Sequence, residues 1–149
     1  PGDLIRSVAG RLRPQFDDKD VALTLDLPAS LPAVHVDPAR ITQVLLNLLG
    51  NALQYTPSGG AVTVSARDDA RQLLVAVQDN GVGISAADLP HVFERFYRVD
   101  KSRSRAGGGS GVGLTISQHI VEAHGGRITA DSPGAGMGST VTFTLPHTS

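Results

Sequence analysis

The chain contains no cysteine, which excludes disulfides, thiolate nucleophiles and cysteine metal sites. It also lacks a charge excess. Its 13 Lys and Arg stand against 14 Asp and Glu, a formal net charge of -1, so bulk attraction to nucleic acid or to an anionic membrane has no basis. The longest apolar runs last a few residues, far short of the roughly 20 that cross a bilayer. No secretory signal pattern opens the chain, and Pro1-Gly2-Asp3 reads as the start of a piece cut from something larger. Five histidines, His35, His91, His119, His124 and His147, are scattered without metal-ligand spacing, and no Ser/His/Asp arrangement is defensible. His124 falls at a helix end, where it complements the helix dipole. What remains is 149 residues, 40% apolar and 18% charged, the composition of one globular domain (1–149) with its own core.

Hydrophobic periodicity places the elements. Residues 2–16 fit an amphipathic helix with Leu4, Ile5, Val8, Leu12 and Phe16 on one side. Residues 21–27 alternate as a strand, and Val34-His35-Val36 suggests a second, short one. Asp37 caps and Pro38 opens a helix running to about Tyr55, stopped by Thr56-Pro57-Ser58-Gly59-Gly60. Strands at about 61–67 and 71–79 form a hairpin through Asp68-Asp69-Ala70. A long irregular segment covers about 80–110, a helix runs from about 111 to 124, and Gly125-Gly126 ends it. Strands at about 127–131 and 139–145 close the chain. Strands that alternate apolar with polar residues make a sheet with one buried and one wet face. Three amphipathic helices are available to cover the buried face. The expected architecture is a two-layer α/β sandwich rather than a doubly wound sheet.

Four stretches carry chemistry. In the strand at 71–79, Leu73, Val75, Val77 and Asp79 share a face, so a carboxylate ends an apolar stripe and points inward. A buried carboxylate needs hydrogen-bond donors. The turn Asp79-Asn80-Gly81-Val82-Gly83 supplies glycines that let a ligand approach the backbone, which suits a flat ligand with an amino group, such as adenine. On the helix at 38–55, Ile41, Val44, Leu45, Leu48 and Ala52 form a core face, while Gln43, Asn47, Asn51 and Gln54 share another. A solvated face would carry Glu, Lys and Arg; a row of amides suits a metal ion and the phosphates it carries. The tract Gly107-Gly108-Gly109-Ser110-Gly111-Val112-Gly113-Leu114 opens a helix, where free N–H groups and the dipole favour an anion. It fits neither the Walker A loop nor the dinucleotide fingerprint. Between the glycine clusters, residues 94–105 hold five basic side chains against Glu94 and Asp100. Basic side chains on a loop can close over a polyphosphate. Three of the six aromatics of the chain, Phe93, Phe96 and Tyr97, sit in the same segment and would dock it into a groove.

These features, in this order, resemble the catalytic, ATP-binding domain of bacterial sensor histidine kinases, in the GHKL superfamily with gyrase, the ninety-kilodalton heat-shock chaperones and mismatch-repair ATPases. The resemblance spans nearly the whole chain. Asp37 through Pro57 is similar to the asparagine box, Asp79 through Gly83 to the first glycine box, Phe93 through Arg98 to the phenylalanine box, and Gly107 through Leu114 to the second glycine box. Gly138-Ser139-Thr140 resembles the last glycine-threonine turn. The resemblance implies a Bergerat-type fold: a mixed, mostly antiparallel sheet with helices on one face and an ATP lid at about 84–110. It implies that Asp79 accepts the adenine amino group, that Asn47 coordinates Mg²⁺, and that Asn51 lies by the phosphates. Gly81, Gly83, Gly109, Gly111 and Gly113 would let backbone approach the ATP. Ile84, Val112, Leu114 and Thr140 would line the same site, Tyr55 would lie near adenine or ribose, and Arg98 would reach phosphate from the lid. Gln54 stands where the family often has Lys or Arg, which implies a weaker phosphate grip or compensation by lid arginines.

Within the superfamily, hydrolysing members carry a water-activating Glu four residues before the metal-binding Asn. Here that residue is Gln43, which cannot act as a base near neutral pH. The implied role is a kinase with no catalytic residue of its own for the acceptor side. None of the five histidines sits in the His-Glu/Asp-x-x-x-Pro context of a phosphoacceptor. The attacking imidazole would come from a dimerisation domain, on the same or a separate polypeptide, with a response regulator downstream. The alternative is a nucleotide-gated interaction module, a GHKL clamp without kinase activity. In either case the expected chain is a monomeric cytoplasmic domain with no nucleic-acid partner, whether free-standing or the inner part of a membrane-bound sensor.

Overall fold

A computed structural model describes residues 2–28, 31, 34, 36–69, 71–82, 110–133 and 137–146, with only the backbone of 110–113. The first element is helix α1, Gly2–Lys19, with Ile5, Val8, Ala9 and Phe16 buried. It runs past the expected end at Phe16 and stops at Asp20, whose φ of 62° is left-handed and redirects the chain. Strand β1, Ala22–Asp26, follows. The short strand expected at 34–36 is not seen among its described residues. Val34 makes an isolated bridge, Val36 belongs to no strand, and His35 lies outside the described residues. Pro28, Pro32 and Pro38 punctuate this stretch, and proline cannot donate to a ladder.

Helix α2, Pro38–Gln54, begins as its sequence dictates. Asp37 sits at φ -80°, ψ 110° and its carboxylate accepts from the Ala39 N–H at 3.0 Å. The inward stripe of Ile41, Val44, Leu45, Leu48 and Ala52 is buried, and Leu49 joins it. Strand β2, Ala61–Asp69, and strand β3, Gln72–Asp79, pair antiparallel up to Asp69–Gln72, so Asp68 and Asp69 belong to the ladder rather than to the turn. Helix α3 is Ser110–Ala123, and strands β4, Ile128–Asp131, and β5, Ser139–Pro146, complete the described elements.

The strands form one five-stranded sheet in the order β1-β2-β3-β5-β4. Only β1 and β2 run parallel, joined across α2; the other three pairings are antiparallel. One face carries Leu23, Val62, Val64, Val75, Val77 and Phe143, all buried against the helices. The other face is richer in Thr, Ser and Ala, with Thr24 exposed and Thr63, Ser65, Thr142 and Thr144 half-buried. Helices on one face and a wetter second face make the two-layer sandwich that the alternation predicts. The carboxyl end of β3 and the amino end of β5 lie side by side, with Asp79 opposite Ser139. The end of α2 meets them there, because the Val82 N–H donates to the Tyr55 carbonyl at 3.0 Å.

Candidate functional site

Asp79 is buried, with 8% of its surface exposed, at the end of the stripe Leu73-Val75-Val77. Its Oδ1 accepts from the Gly81 N–H at 2.9 Å and its Oδ2 from the Ser139 hydroxyl at 2.8 Å. A carboxylate offers about four lone-pair positions, so two remain for a ligand's donor. The turn itself is held on both sides. Asn80 exchanges hydrogen bonds with Ala61, donating its N–H at 3.2 Å and accepting on Oδ1 at 2.8 Å. The Gly138 N–H donates to the Gly81 carbonyl at 3.2 Å.

Gly81 has a structural role beyond the expected ligand access. A Cβ there would collide with the Tyr55 carbonyl oxygen and press on Thr56 Cα. The glycine lets the turn lie directly against the loop after α2. Gly138 does the same from β5: its φ is 77°, and a Cβ would strike the Asp79 carbonyl. Thr56, fully buried, donates its hydroxyl to the Ala52 carbonyl at 2.7 Å and so fixes that loop to α2. Tyr55 is half-buried at the helix end, where its N–H donates to the Asn51 carbonyl at 3.2 Å. α2 has no basic residue in its last turn. Lys19 of α1 fills that role, donating to the Leu53 and Gln54 carbonyls at 2.7 and 3.2 Å.

The amide row on α2 is half-buried rather than solvated at Gln43, Asn47, Asn51 and Gln54. Asn47 Nδ2 donates to the Ser117 hydroxyl on α3 at 3.3 Å. Asn51 Oδ1 is buried and has no hydrogen-bond partner. An orphaned buried carbonyl oxygen is costly unless a donor or cation completes it, and hard oxygen is what Mg²⁺ takes. The donor set therefore fits the metal, and the unspent oxygen lies one turn beyond the Asn47 that the resemblance nominated.

Thr140 is placed differently from the expectation. Val141, Phe143 and Leu145 point into the core, so Thr140 shares the opposite face of the sheet with its register partner Gln78. The hydroxyl that reaches Asp79 belongs to Ser139. Strict alternation in 139–145 carries that signal, since the residue in phase with Val141 is Ser139. Leu114 is buried with the core at 8% exposure. The backbone of Gly111, Val112 and Gly113 forms the first turn of α3, as the glycine tract predicts. Gly83, Ile84, Arg98 and Gly109 lie outside the described residues, with the rest of 84–109. His124 does more than complement a dipole. Its Nε2 accepts from the Asp37 N–H at 3.1 Å while its Nδ1 faces the Ile120 carbonyl at 2.8 Å, so the ring ties the end of α3 to the start of α2. Among the described residues no group of three acidic or imidazole side chains could hold a metal, and no helix is long and apolar enough to cross a membrane.

Residues 36–149 match the family described as histidine kinase-, DNA gyrase B-, and HSP90-like ATPase. The sensor histidine kinase WalK of Bacillus subtilis is 47% identical over 132 residues, which cover 87% of this chain and 21% of WalK. The chain thus spans about a fifth of that relative. The solved mycobacterial sensor histidine kinase MprB superposes with a TM-score of 0.83 at 30% identity, covering 98% of this chain and 95% of that one. Histidine kinase ThkA, solved in complex with the response regulator protein TrrA, gives a TM-score of 0.81 at 25% identity over 99% of this chain and 40% of that one. The chain belongs to the histidine kinase-, DNA gyrase B- and HSP90-like ATPase family, and its sequence relatives and fold neighbours set it among the catalytic domains of sensor histidine kinases.

Proposed function

We propose that this chain binds ATP·Mg²⁺ and positions the γ-phosphate for transfer to a histidine on a dimerisation domain, within a two-component signalling kinase. The observation that carries this reading is Asp79: a buried carboxylate held rigid by Gly81 and Ser139 with acceptor capacity left for an exocyclic amino group. Adenine would lie against the Asp79 carboxylate, with Tyr55 nearby at the end of α2. The polyphosphate would extend along the amide row. Asn51, with its unpaired oxygen, and Asn47 would hold Mg²⁺, which would neutralise phosphate charge there. The first-turn N–H groups of α3 have no intrahelical acceptors and face anions by their dipole. Gly109, Gly83, Ile84 and Arg98, with the rest of the lid, are proposed to complete the enclosure. Gln54 contributes hydrogen bonds without charge.

Phosphoryl transfer depends mainly on positioning and charge neutralisation, which is what these side chains offer. A hydrolytic role is disfavoured by the residues four and eight before Asn51. Asn47 and Gln43 are both amides, and neither takes a proton from water near neutral pH. The acceptor histidine, the response regulator downstream and a cytoplasmic setting are inferred from the sensor-kinase relatives. The test is reconstitution. Mixed with ATP, Mg²⁺ and a histidine-bearing dimerisation domain, the chain is expected to label that histidine with γ-phosphate, and to take up no label alone. Label on the isolated chain, or steady release of inorganic phosphate without transfer, would contradict it; the second result would identify an ATPase clamp.

A further inference from the structure

The last carbonyls of a helix concentrate a partial negative charge, about half an elementary charge in all. On the reading given above, the polyphosphate runs along the amide row of α2, and Asn51 and Gln54 of that row stand in its last turn. A polyanion beside a helix C-terminus is repelled. α2 itself offers nothing against this, because its last turn has no basic residue and Gln54 is uncharged.

The carbonyls of that turn are accounted for one by one. Asn51 takes the Tyr55 N–H at 3.2 Å, and Ala52 takes the Thr56 hydroxyl at 2.7 Å, both neutral donors. Leu53 and Gln54 take the Lys19 ammonium at 2.7 and 3.2 Å. The corner after Lys19 fixes it there. Asp20 has its left-handed φ of 62°, its carbonyl accepts from the Gly59 N–H at 2.7 Å, and the Ala22 N–H donates to the Gly60 carbonyl at 3.0 Å. These bonds fasten the α1–β1 corner to the loop after α2. Asp17, Asp18 and Asp20 flank Lys19 in sequence, yet all three are exposed and, among the described residues, none forms an ion pair with it. Its charge is left to act on the helix end.

We propose that Lys19 is a positioning residue for the phosphate end of the site: from α1 it offsets the negative end of α2, so that the anionic part of a nucleotide can lie against that helix. This rests on the nucleotide reading of the site. The charge acts through the Leu53 and Gln54 carbonyls and needs no contact with phosphate. An uncharged ligand in the same place gains nothing from it. The contribution of Lys19 therefore grows with ligand charge, from adenosine through ADP to ATP.

The experiment is calorimetric titration of the full chain with adenosine, ADP and ATP at saturating Mg²⁺. Lys19→Gln keeps a donor for the carbonyls and removes the charge, whereas Lys19→Arg keeps both. Thermal melting checks that each variant is folded. A charge at a helix terminus is worth a small factor, so Lys19→Gln should weaken ATP about 2–5-fold, ADP less and adenosine not at all, with Lys19→Arg close to wild type. Added salt should shrink the ATP loss. Equal losses for all three ligands would make Lys19 a brace for the fold alone and overturn the proposal while leaving the nucleotide reading intact. Unchanged ATP affinity in folded Lys19→Gln would do the same. If Lys19→Gln does not fold, Lys19→Met repeats the comparison, and unfolding of both would also mark a brace. A wild-type chain that bound none of the three ligands would overturn the nucleotide reading and the proposal with it.

Discussion

Asp79 is held in one orientation by two donors. Gly81 N–H and the Ser139 hydroxyl each occupy one oxygen. Hydrogen bonds to an ionised acceptor are worth about 1.5–3 kcal/mol, roughly twice an ordinary one. Ser139→Ala is therefore expected to cost about 1–3 kcal/mol in urea denaturation. Thr140→Ala, on the opposite face of β5, should cost under about 1 kcal/mol. Reversal of that order would show that the β3–β5 register is wrong. The same contrast marks what residue-level reading of the sequence captures. Asp79 was legible because alternation alone sets its direction. Ser139 was passed over because the resemblance pointed to the threonine; alternation puts Ser139 in phase with Val141, and the pairing of β3 with β5 sets Asp79 against it. Asn47 and Asn51 were legible as a pair on one face. That Asn51 Oδ1 stays without a partner while Asn47 Nδ2 reaches Ser117, seventy residues away in sequence, is set by tertiary packing, so no local pattern reports it.

At the scale of elements, the site is a meeting of ends. The end of α2, the turn after β3 and the entry to β5 touch through backbone, with glycine at 81 and 138 where side chains would intervene. Gly81→Ala forces a methyl group into the Tyr55 carbonyl, so the turn and the loop after α2 must separate. Overpacking of this kind costs about 1–3 kcal/mol. The expected outcome is a lowered urea midpoint together with weakened nucleotide binding. Wild-type stability in that variant would mean that the two segments do not pack as described. Most elements were readable from periodicity, capping and glycine stops: α2 begins at Asp37-Pro38, and the strand at 71–79 appears as β3. The exceptions have physical causes. Residues 34–36 alternate, yet the prolines at 28, 32 and 38 flank them and shorten any ladder they could join. α1 outruns its apolar stripe because Lys19 has work to do beyond it, donating to the last carbonyls of α2.

At the scale of the molecule, helices covering one sheet face bring the end of α2 to the adjoining ends of β3 and β5. The two-layer architecture followed from counting strands with one apolar face against three amphipathic helices. The strand order did not, since nothing local dictates that β5 inserts between β3 and β4. That insertion is what delivers Ser139 and Gly138 to the Asp79 turn. The central claim, that this meeting of ends is a nucleotide site organised by Asp79, is tested most directly by calorimetric titration of ATP·Mg²⁺ into the chain and its Asp79→Asn variant. An asparagine replaces one accepting oxygen with an NH₂ group, which cannot accept from an adenine amino group. With a hydrogen bond to a charged acceptor at stake, ATP affinity should fall about tenfold or more while the variant remains folded. Equal affinity in the two proteins, or no binding by the wild-type chain, would contradict the account.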